Sequence, residues 1–531
     1  MVSYTGVTSR KSPFPDAKRY QPPLYPLHVF KLQFYLAFVL SSGPRRPGRI
    51  WLSLSIVYLY WKNRNNKPQP KARFQELPVV TVQLPMFNEK FVVDRLLESV
   101  AALDYPQDKL EIQILDDSTD DTTEQCYRKV EELKSRGFDA VCIHRTDRTG
   151  FKAGALEAAT KVAKGEFLLI LDADFVPEPD LLQKTIHFFT DENVGLVQTR
   201  WGHINREYNL LTRIQGMYLD GHFAMEQTAR NRSGRFFTFN GTAGIWRKCV
   251  IGDAGGWSHD TLTEDMDLSY RVQLRGWRFI YLNDVVTPAE LPVDMDGFKS
   301  QQHRWTKGSI QVCQKILLDI WRSNAPLKAK VEATTHLTCN YSYLLLALLC
   351  FLVYPICTQR IPENETVFMW FVNVALFFMT SVAVCIFYMS AQIVVRPKSW
   401  WKELPYLPLL LTLSVGMAVN NAKAVLEAIF GHQSAFVRTP KYGVDRKEDR
   451  RHVSQLKRNG YRAIKSVVIP VLEIACGTFF LNLIIIMIRQ GHYLSPILMI
   501  PFLGFYYTGF CSLGRMISNL LPAKQTAKAK N

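Results

Sequence analysis

Apolar and polar positions divide the chain into two parts with different patterns. Between residues 62 and 330, short apolar runs alternate with charged stretches of helical spacing, and between residues 337 and 513 long apolar runs follow one another. Short apolar strands that alternate with amphipathic helices predict a mainly parallel sheet with helices on both faces. The long runs have the length of helices that cross a bilayer. The pattern therefore predicts an α/β domain fused to an α-helical transmembrane domain.

The first part contains apolar runs that end at polar residues, which is the pattern of buried strands. Strands are predicted at 79–84, 110–115, 140–144 and 167–171. Helical spacing predicts helices at 91–103, 120–134 and 152–163, and a further helix that begins at Thr263 as its N-cap and ends near residue 275. Because open α/β sheets bind ligands outside the carboxyl ends of their strands, the residues that follow these strands are the candidates for chemistry.

Further apolar runs predict the membrane segments. Two precede the α/β part, at 24–42 and 50–61, and five follow it, at 337–356, 367–389, 404–430, 467–488 and 494–513. Asn420, Asn421, Lys423 and Glu427 make the run at 404–430 too polar for a simple span, so we expect a bent, re-entrant or interfacial element there. The number of crossings stays open at this point.

Charge and cysteine usage exclude several classes of protein. The formal net charge is +17, and the basic excess lies beside the apolar runs, where it indicates cytoplasmic anchoring. No basic patch is interleaved with aromatic residues, so we expect no nucleic-acid partner. The ten cysteines contain no C-x-x-C pair, which argues against a zinc site and a disulfide framework. A G-x-G-x-x-G fingerprint, a P-loop and a cleavable signal pattern are also absent.

Two carboxylates, Asp172 and Asp174, follow the predicted strand at 167–171. Carboxylate oxygens together with water and phosphate oxygens suit Mg²⁺ or Mn²⁺, and such an ion neutralises a departing diphosphate. The alternative is a strand that ends in a polar turn, with Asp174 as a cap. The position of the pair directly after a five-residue apolar run favours the metal site.

Two further segments offer contacts to a nucleotide. Asp116 and Asp117 end the strand at 110–115, where carboxylates accept hydrogen bonds from a base or a ribose; the alternative is capping of the next helix. Lys152 lies at the start of a predicted helix, where an ammonium group and free backbone N–H groups favour a phosphate. The alternative for Lys152 is an ordinary surface lysine.

Acidic and basic motifs near the end of the α/β part offer catalysis and sugar binding. Glu264 and Asp265 start a helix, and a carboxylate held in a cleft is a candidate general base; plain capping is the alternative. The motif that follows contains Gln301, Arg304 and Trp305. Arg304 is suited to a pyrophosphate and Trp305 to a sugar ring, while a membrane-surface helix is the alternative.

In this order the motifs resemble those of the processive family 2 glycosyltransferases, the group that contains cellulose, hyaluronan and mannan synthases. The chain looks most like the cellulose synthase-like A and C branch and its bacterial relatives. The segments that carry this likeness are 83–89 (QLPMFNE), 115–120 (LDDSTD), 239–247 (FNGTAGIWR) and 254–257 (AGGW). The resemblance covers roughly residues 79–441.

The resemblance implies a cytosolic GT-A domain that binds a nucleotide-sugar and is packed on a membrane channel. It implies that Asp116 or Asp117 contacts the nucleoside, that Asp172 and Asp174 hold nucleotide and metal, and that Asp265 is the base, with Glu264 beside it. Gln301, Arg304 and Trp305 would bind the diphosphate and the acceptor sugar. The expected reaction inverts the anomeric centre, with Mg²⁺ or Mn²⁺ as cofactor.

A segment near residue 440 is similar to the gating loop F-x-V-T-x-K of cellulose synthases. Phe436, Thr439 and Lys441 keep the spacing, while Arg438 replaces the valine. The resemblance implies that this loop covers the nucleotide as a lid. No large carboxy-terminal regulatory domain follows, so control by a cyclic dinucleotide is not indicated.

Together these observations predict five segments. They are a leader and membrane-helix region with a basic linker (1–73), a cytosolic GT-A domain with interfacial helices (74–330), transmembrane helices (331–430), a cytosolic gating-type loop (431–465) and a transmembrane hairpin with a basic tail (466–531).

The predicted function is polymerisation of hexose from UDP-glucose or GDP-mannose into a β-linked polysaccharide that is extruded. The predicted partners are the donor, the growing polymer and the bilayer. The alternative function is a glycolipid synthase that adds one or two sugars to diacylglycerol or ceramide. The membrane would be the plasma membrane of a bacterium or the Golgi membrane of a eukaryote.

Overall fold

A computed structural model of the protein describes residues 48–358, 382–433, 438–444, 467–489 and 495–520. The described residues from position 50 onward belong to one compact unit. The predicted apolar run at 24–42 lies outside the described residues, and the run at 50–61 lies in helix α1 (Gly48–Asn63).

The described strands form one seven-stranded sheet in the order β3-β2-β1-β4-β6-β5-β7. The strands are β1 (Val80–Met86), β2 (Leu110–Asp116), β3 (Asp139–His144), β4 (Phe167–Ile170), β5 (Val194–His203), β6 (Gly244–Arg247) and β7 (Arg278–Ala289). All neighbouring pairs are parallel except those of β6, which runs antiparallel to β4 and to β5. The predicted parallel sheet is therefore present as a mixed sheet with one reversed strand.

Two apolar cores cover the two faces of the sheet. Successive residues of a strand point to opposite faces, so Phe167 and Leu169 of β4 lie in one core while Leu168 and Ile170 lie in the other. The first core contains residues of helices α2 (Val93–Ala101) and α3 (Thr122–Ser135). The central strands are apolar on both faces because helices cover both, as the sequence pattern predicts.

The second core contains residues of three helices, which are α4 (Phe151–Val162), α8 (Lys248–Asp253) and α9 (Glu264–Leu274). Two of them, α4 and α9, carry the candidate site residues Lys152, Glu264 and Asp265. The chain also contains α5 (Leu181–Thr185), which contributes Leu181 and Leu182 to the first core. It is followed by α6 (Leu210–Asp220), a π-helix (Gly221–Gln227) and α7 (Thr228–Arg232).

The predicted elements of the α/β part occur within two residues of their predicted ends. Two details differ. Strands β5, β6 and β7 are missing from the prediction, which named only the four strands that precede Asp172. Thr263 is the N-cap residue of α9, but its side chain makes no capping hydrogen bond. Instead it packs against Gly308, where an added Cβ would come within 2.5 Å of the Thr263 methyl group. The prediction of a capping side chain was wrong because tertiary packing places Thr263 elsewhere.

A helical region follows the sheet domain. It contains α10 (Met295–Arg322), α11 (Leu327–Thr338), α12 (Tyr341–Thr358), α13 (Val382–Val395), α14 (Leu407–Gly416), α15 (Ala418–Ile429), α16 (Val468–Arg489) and α17 (Ser495–Leu520). Asp294 caps α10, since its side chain accepts a hydrogen bond from the backbone N–H of Gly297 at 2.9 Å. This cap marks the start of α10. Further along, the helix packs on α15 through Ile310, Val425 and Ala428.

Among the helices in the described ranges, α16 is the one that is long and apolar enough by itself to cross a bilayer. The segment from Trp400 to Ile429 passes the same test only when its two helices are taken together, and it is bent by 40° at the break before Ala418. This bend agrees with the prediction of a bent element at 404–430. The multi-pass arrangement stays a prediction.

Candidate active site

A cleft of about 180 Å³ opens at the carboxyl edge of the sheet. Most of the predicted site residues line it: Asp117, Lys152, Asp172, Asp174, Glu264, Asp265, Gln301, Arg304, Trp305, Thr439 and Lys441. Asp117, Asp172 and Asp174 follow β2 and β4, whose carboxyl ends share one edge of the sheet with that of β1. The other residues lie on helices α4, α9 and α10 and in the segment 438–444.

The two carboxylates after β4 are each paired with a lysine. Lys152 Nζ donates to Asp172 Oδ1 and, at 2.9 Å, to the carbonyl oxygen of Gly241. Lys441 Nζ donates to Asp174 Oδ2 at 2.7 Å. Burial lowers the pKa of Lys152, but the carboxylates of Asp172, Glu264 and Asp265 outweigh burial and raise it. This end of the cleft is therefore an array of opposite charges rather than a concentration of negative charge.

Asp116, the last residue of β2, and Asp117, which follows it, have different positions. Asp117 lines the cleft, and Arg145 donates two hydrogen bonds to the Asp117 carboxylate, at 2.8 and 2.6 Å. Asp116 is completely buried and lies outside the lining of the cleft. Its oxygens accept from Thr123 and contact His144 Nδ1, both at 2.7 Å. Of the two residues, Asp117 is the one placed to meet a ligand.

Glu264 and Asp265 lie at the start of α9, inside the cleft. Burial raises the pKa of Asp265 to about 7, and the neighbouring charge of Glu264 acts in the same direction. The backbone N–H of Met266, which donates to Asp265 Oδ1 at 2.8 Å, opposes this rise. Gly241 approaches the other oxygen closely, because a Cβ at that position would be 3.1 Å from Asp265 Oδ2. A carboxyl group with a pKa near 7 is matched to proton transfer at neutral pH.

Helix α10 carries the predicted Gln301, Arg304 and Trp305 into the same cleft. Burial lowers the pKa of Arg304, against the carboxylates of Glu264 and Asp172, and arginine stays charged in any case. Trp305 packs beside Leu219, Phe223 and Leu291, so one part of the indole is fixed while the residue still lines the cleft. A guanidinium group and an aromatic side chain thus lie one position apart, opposite the carboxylates.

The gating-type segment is seated over the cleft at residues 438–444. Arg438 pairs with Glu89 at 2.8 Å, which explains how an arginine is accommodated where the family pattern has valine. Glu290 holds the backbone of the segment, since its two oxygens accept from the N–H groups of Tyr442 at 2.9 Å and Val444 at 3.1 Å. Phe436 lies outside the described residues.

Several residues that line the cleft are absent from the predicted site residues, although three of them lie in the segments 83–89 and 239–247 that carry the family likeness. They are Phe87, Glu89, Arg148, Trp201, His203, Asn240 and Glu290. The Arg148 guanidinium lies 3.4 Å from the centre of the Phe87 ring and 5.3 Å from that of Phe151. Phe87 and Glu89 follow β1 directly, so the rule that pointed to Asp117 and Asp172 would have found them too. No spacing rule points to the others.

The donor set for a divalent cation is small. In the described part of the chain no group of three or more His, Cys, Asp or Glu side chains is arranged to hold a metal ion. Asp172 and Asp174 supply two hard carboxylates in the cleft, and Mg²⁺ or Mn²⁺ commonly binds one or two carboxylates together with water and substrate phosphates. The residues present fit a cation that arrives with a diphosphate.

Two family models match adjoining parts of the chain. The model described as "Glycosyltransferase like family 2" matches residues 78–308, and the model described as "Cellulose synthase" matches residues 244–490. The first match contains the sheet, and the overlap contains Asp265 and α10 as far as Gly308.

Curated relatives extend this likeness. The chain is 42% identical over 293 residues to glucomannan 4-beta-mannosyltransferase 2 of Arabidopsis thaliana, which covers 52% of this chain and 54% of that protein. It is 38% identical over 321 residues to glucomannan 4-beta-mannosyltransferase 1 of Oryza sativa subsp. japonica, with 59% of each chain covered. The chain thus spans little more than half the length of these relatives.

A solved structure has a similar fold. The mannosyltransferase PcManGT from Pyrobaculum calidifontis, in complex with GDP-Man and Mn²⁺, superposes with a TM-score of 0.50 at 19% identity. The superposition covers 76% of this chain and 99% of that one. At this identity the likeness establishes the fold alone: a GT-A-like glycosyltransferase domain with a mixed sheet.

Proposed function

Since the chain belongs to the family 2 glycosyltransferases of the cellulose synthase-like type, we propose that it transfers hexose from a nucleotide-sugar to a growing β-linked polysaccharide. The observation that carries the proposal is the convergence of the three motifs on one cleft. The carboxylate pair after β4, the acidic start of α9 and the Gln-x-x-Arg-Trp segment of α10 all line it. Each motif supplies one requirement of glycosyl transfer: charge on the diphosphate side, a base, and an aromatic contact for a sugar.

Asp265 is the proposed base. It takes the proton from the acceptor hydroxyl while the oxygen of that hydroxyl forms a bond to the anomeric carbon of the donor sugar. In the same step the bond between that carbon and the diphosphate oxygen breaks, and the electron pair leaves with the diphosphate. One displacement of this kind inverts the anomeric centre. The pKa of about 7 allows Asp265 to be ionised before the step and protonated after it.

The departing diphosphate needs positive charge. Arg304 lies opposite Asp172 and is suited to bidentate contact with phosphate oxygens. Lys152 is near enough to Asp172 to exchange that carboxylate for a phosphate when the nucleotide enters. Asp172 and Asp174 would hold a divalent cation, which would neutralise charge on the diphosphate.

The segment 438–444 would act as a cover of the nucleotide. Lys441 already reaches the carboxylate pair, and Thr439 is buried at the wall of the cleft. A cover that excludes water favours transfer to a sugar over hydrolysis.

GDP-mannose is the proposed donor, with UDP-glucose as the second candidate. The named relatives are mannosyltransferases, and the solved structure with a similar fold contains GDP-Man and Mn²⁺. The relatives' names also refer to a polysaccharide, so the glycolipid alternative is not favoured. We further propose that the helical region lies in a membrane with several crossings and that the catalytic domain faces the cytosol.

The test uses the full chain purified in detergent or nanodiscs, with Mg²⁺ or Mn²⁺. Radiolabelled GDP-mannose, UDP-glucose, UDP-N-acetylglucosamine and UDP-galactose are offered separately, and the products are sized. We expect a high-molecular-weight product from GDP-mannose that an endo-β-mannanase digests. A product that extracts into chloroform and carries one or two sugars would overturn the proposal in favour of a glycolipid enzyme.

A further inference from the structure

A half-buried amide in the cleft has no role in the mechanism above. Asn240 lines the cleft beside Gly241, and Gly241 lies against the proposed base. Gly241 has a φ of 80°, a conformation that suits glycine, and any Cβ there would also crowd Asp265 Oδ2. The residue that follows Asn240 in the chain therefore lies against Asp265, which is proposed to take the proton from the acceptor hydroxyl.

Hydrogen bonds identify the oxygen and the nitrogen of the Asn240 amide. Gln227 Nε2 lies 2.8 Å from the carbonyl oxygen of Thr238, and a backbone carbonyl only accepts, so this Gln227 atom is the donating nitrogen. The same nitrogen lies 2.8 Å from Asn240, so the atom that faces it is the acceptor Oδ1. Asn240 Nδ2 consequently points to His222 Nε2, at 3.2 Å.

The same reasoning fixes the tautomer of His222. Since Asn240 Nδ2 donates, His222 Nε2 accepts, and the ring proton is on Nδ1. Nδ1 donates to Glu226 Oε2 at 2.9 Å. Burial acts to raise the pKa of Glu226, but Arg230 and His222 outweigh it and lower that pKa to about 2, so Glu226 is an ionised acceptor. A chain of hydrogen bonds thus runs from the Glu226 carboxylate through His222 to Asn240 in the cleft.

The backbone that carries these partners is a π-helix. His222, Glu226 and Gln227 all lie on Gly221–Gln227. His222 and Gln227 are five residues apart, which is the spacing of the π-helical hydrogen bond. In an α-helix they would point about 140° apart, whereas here both contact Asn240. π-Helical turns are often found at functional sites, and this one holds a cleft residue at both ends of its amide.

One donor of this arrangement is left over. An amide nitrogen carries two hydrogens, and Asn240 Nδ2 gives one to His222. Within the described part of the chain no second acceptor contacts Nδ2. We propose that this second N–H donates to a hydroxyl of the hexose at the transfer site, and that His222 and Gln227 are the positioning residues that aim it. This role rests on the proposed glycosyl transfer. The hydroxyl belongs either to the donor sugar or to the acceptor sugar, and the experiment separates the two.

Because Gln227 and His222 hold both ends of the Asn240 amide, its second N–H can discriminate between sugar substrates by hydrogen bonding. A site built to hydrogen-bond a substrate hydroxyl rejects the analogue that lacks it, because the polar group of the site is then left unpaired. Asn240 therefore predicts that one particular hydroxyl of one sugar is required for efficient transfer. Removal of the amide should remove this requirement.

The test compares the natural substrates with deoxy analogues. The full chain in nanodiscs is given GDP-mannose, or the donor it is found to use, and singly deoxygenated forms of the donor sugar; a second series uses singly deoxygenated acceptor oligosaccharides. For the wild type we expect kcat/KM to fall at least about tenfold for one analogue. For Asn240→Ala the ratio of natural to deoxy substrate should fall to about one for that analogue and stay unchanged for the others.

Further variants separate selection from folding. Asn240→Asp keeps the shape but cannot donate when ionised, so the same ratio should fall. His222→Ala should lower the ratio less, and His222→Gln, whose side-chain oxygen can accept, should restore part of it. GDP binding should stay unchanged in all of them.

Asn231→Ala is the matched control, because Asn231 forms hydrogen bonds with the backbone of Phe279 and Tyr281 and lies outside the cleft lining. Its loss should affect stability and leave the ratio unchanged.

Two outcomes would contradict the proposals in different ways. If an active wild type and the Asn240 variants show the same ratios for every deoxy analogue, the role of Asn240 is wrong while the proposed transfer stands. If the wild type transfers none of the sugars to any acceptor, the proposed function fails, and this role fails with it.

Discussion

Two pairs of carboxylates in one cleft have opposite surroundings. Asp172 and Asp174, after β4, are each paired with a lysine that comes from another element. Asp265, at the start of α9, is buried beside Glu264 and has a pKa of about 7. The first pair is balanced by two ammonium groups and is suited to exchanging one cation for another. In the second pair, burial and the neighbouring Glu264 destabilise the charge of Asp265, which is therefore suited to taking a proton. The same side-chain chemistry therefore serves two functions because burial and partners differ.

The largest effect is expected from Asp265→Asn. The asparagine keeps the size of the side chain but cannot accept the proton, so the transfer rate should fall at least about 100-fold. The affinity for GDP, measured by calorimetry, should stay close to that of the wild type because the proposed contacts to the nucleotide involve other residues. Asp267→Asn is the control. Asp267 is two positions further along the helix but is ion-paired with Arg271 and Lys315, each at 2.8 Å. Normal turnover in Asp265→Asn would exclude it as the base.

Removal of divalent cations tests the proposed role of Asp172 and Asp174 in binding a metal ion. With excess chelator we expect transfer to stop and donor affinity to fall, because the diphosphate then lacks its counter-charge. Titration with Mn²⁺ or Mg²⁺ should restore both, and Asp174→Asn should need a higher concentration of either ion. Full activity in chelator would show that Lys152, Lys441 and Arg304 are sufficient without a metal.

Lys441→Ala should have a smaller effect, on binding rather than on chemistry. Loss of the ammonium group removes one positive charge from the diphosphate side of the cleft, and we expect GDP and donor affinity to fall about tenfold. Lys161→Ala is the matched control, because Lys161 is 70% exposed and lies outside the cleft lining. If affinity and rate both stay unchanged, the segment 438–444 has a structural role only.

The smallest effect expected is a displacement of the pH profile. The proposed base, Asp265, must be ionised, and its pKa is raised to about 7, so the transfer rate of the wild type should rise as pH increases through about 7. The charge of Glu264 contributes to that rise in pKa. Glu264→Gln removes the charge and should therefore move the midpoint of the profile to lower pH. A midpoint that stays in place, or moves upward, would contradict the electrostatic coupling of these two residues.

The strand ends could be predicted from the sequence because a run such as 167–171 has one stable environment, the middle of a covered sheet. Asp117, Asp172 and Asp174 could then be placed at one edge, since parallel strands end together. Asp116 shows the limit of the rule: it is the last residue of the strand that Asp117 follows, and the alternation of side chains turns it inward to Thr123 and His144.

Long-range pairings could not be predicted in this way. Lys441 meets Asp174 across 267 positions of the chain, and nothing in the local pattern of either residue requires the other. The motif similarity suggested that Lys441 was near a nucleotide, but not that it binds a carboxylate. The π-helix is a second case, because the sequence from 221 to 227 has no local signal that separates it from the α-helices on either side.

The configuration of the newly formed glycosidic bond tests the account most directly. The full chain is incubated with the α-linked donor and a short acceptor, and the first product is examined by NMR for the anomeric configuration of the added sugar. A single displacement assisted by Asp265 predicts a β-linked product, formed by the wild type and not by Asp265→Asn. An α-linked product would contradict the account, because it requires retention at the anomeric centre and a different role for the acidic start of α9.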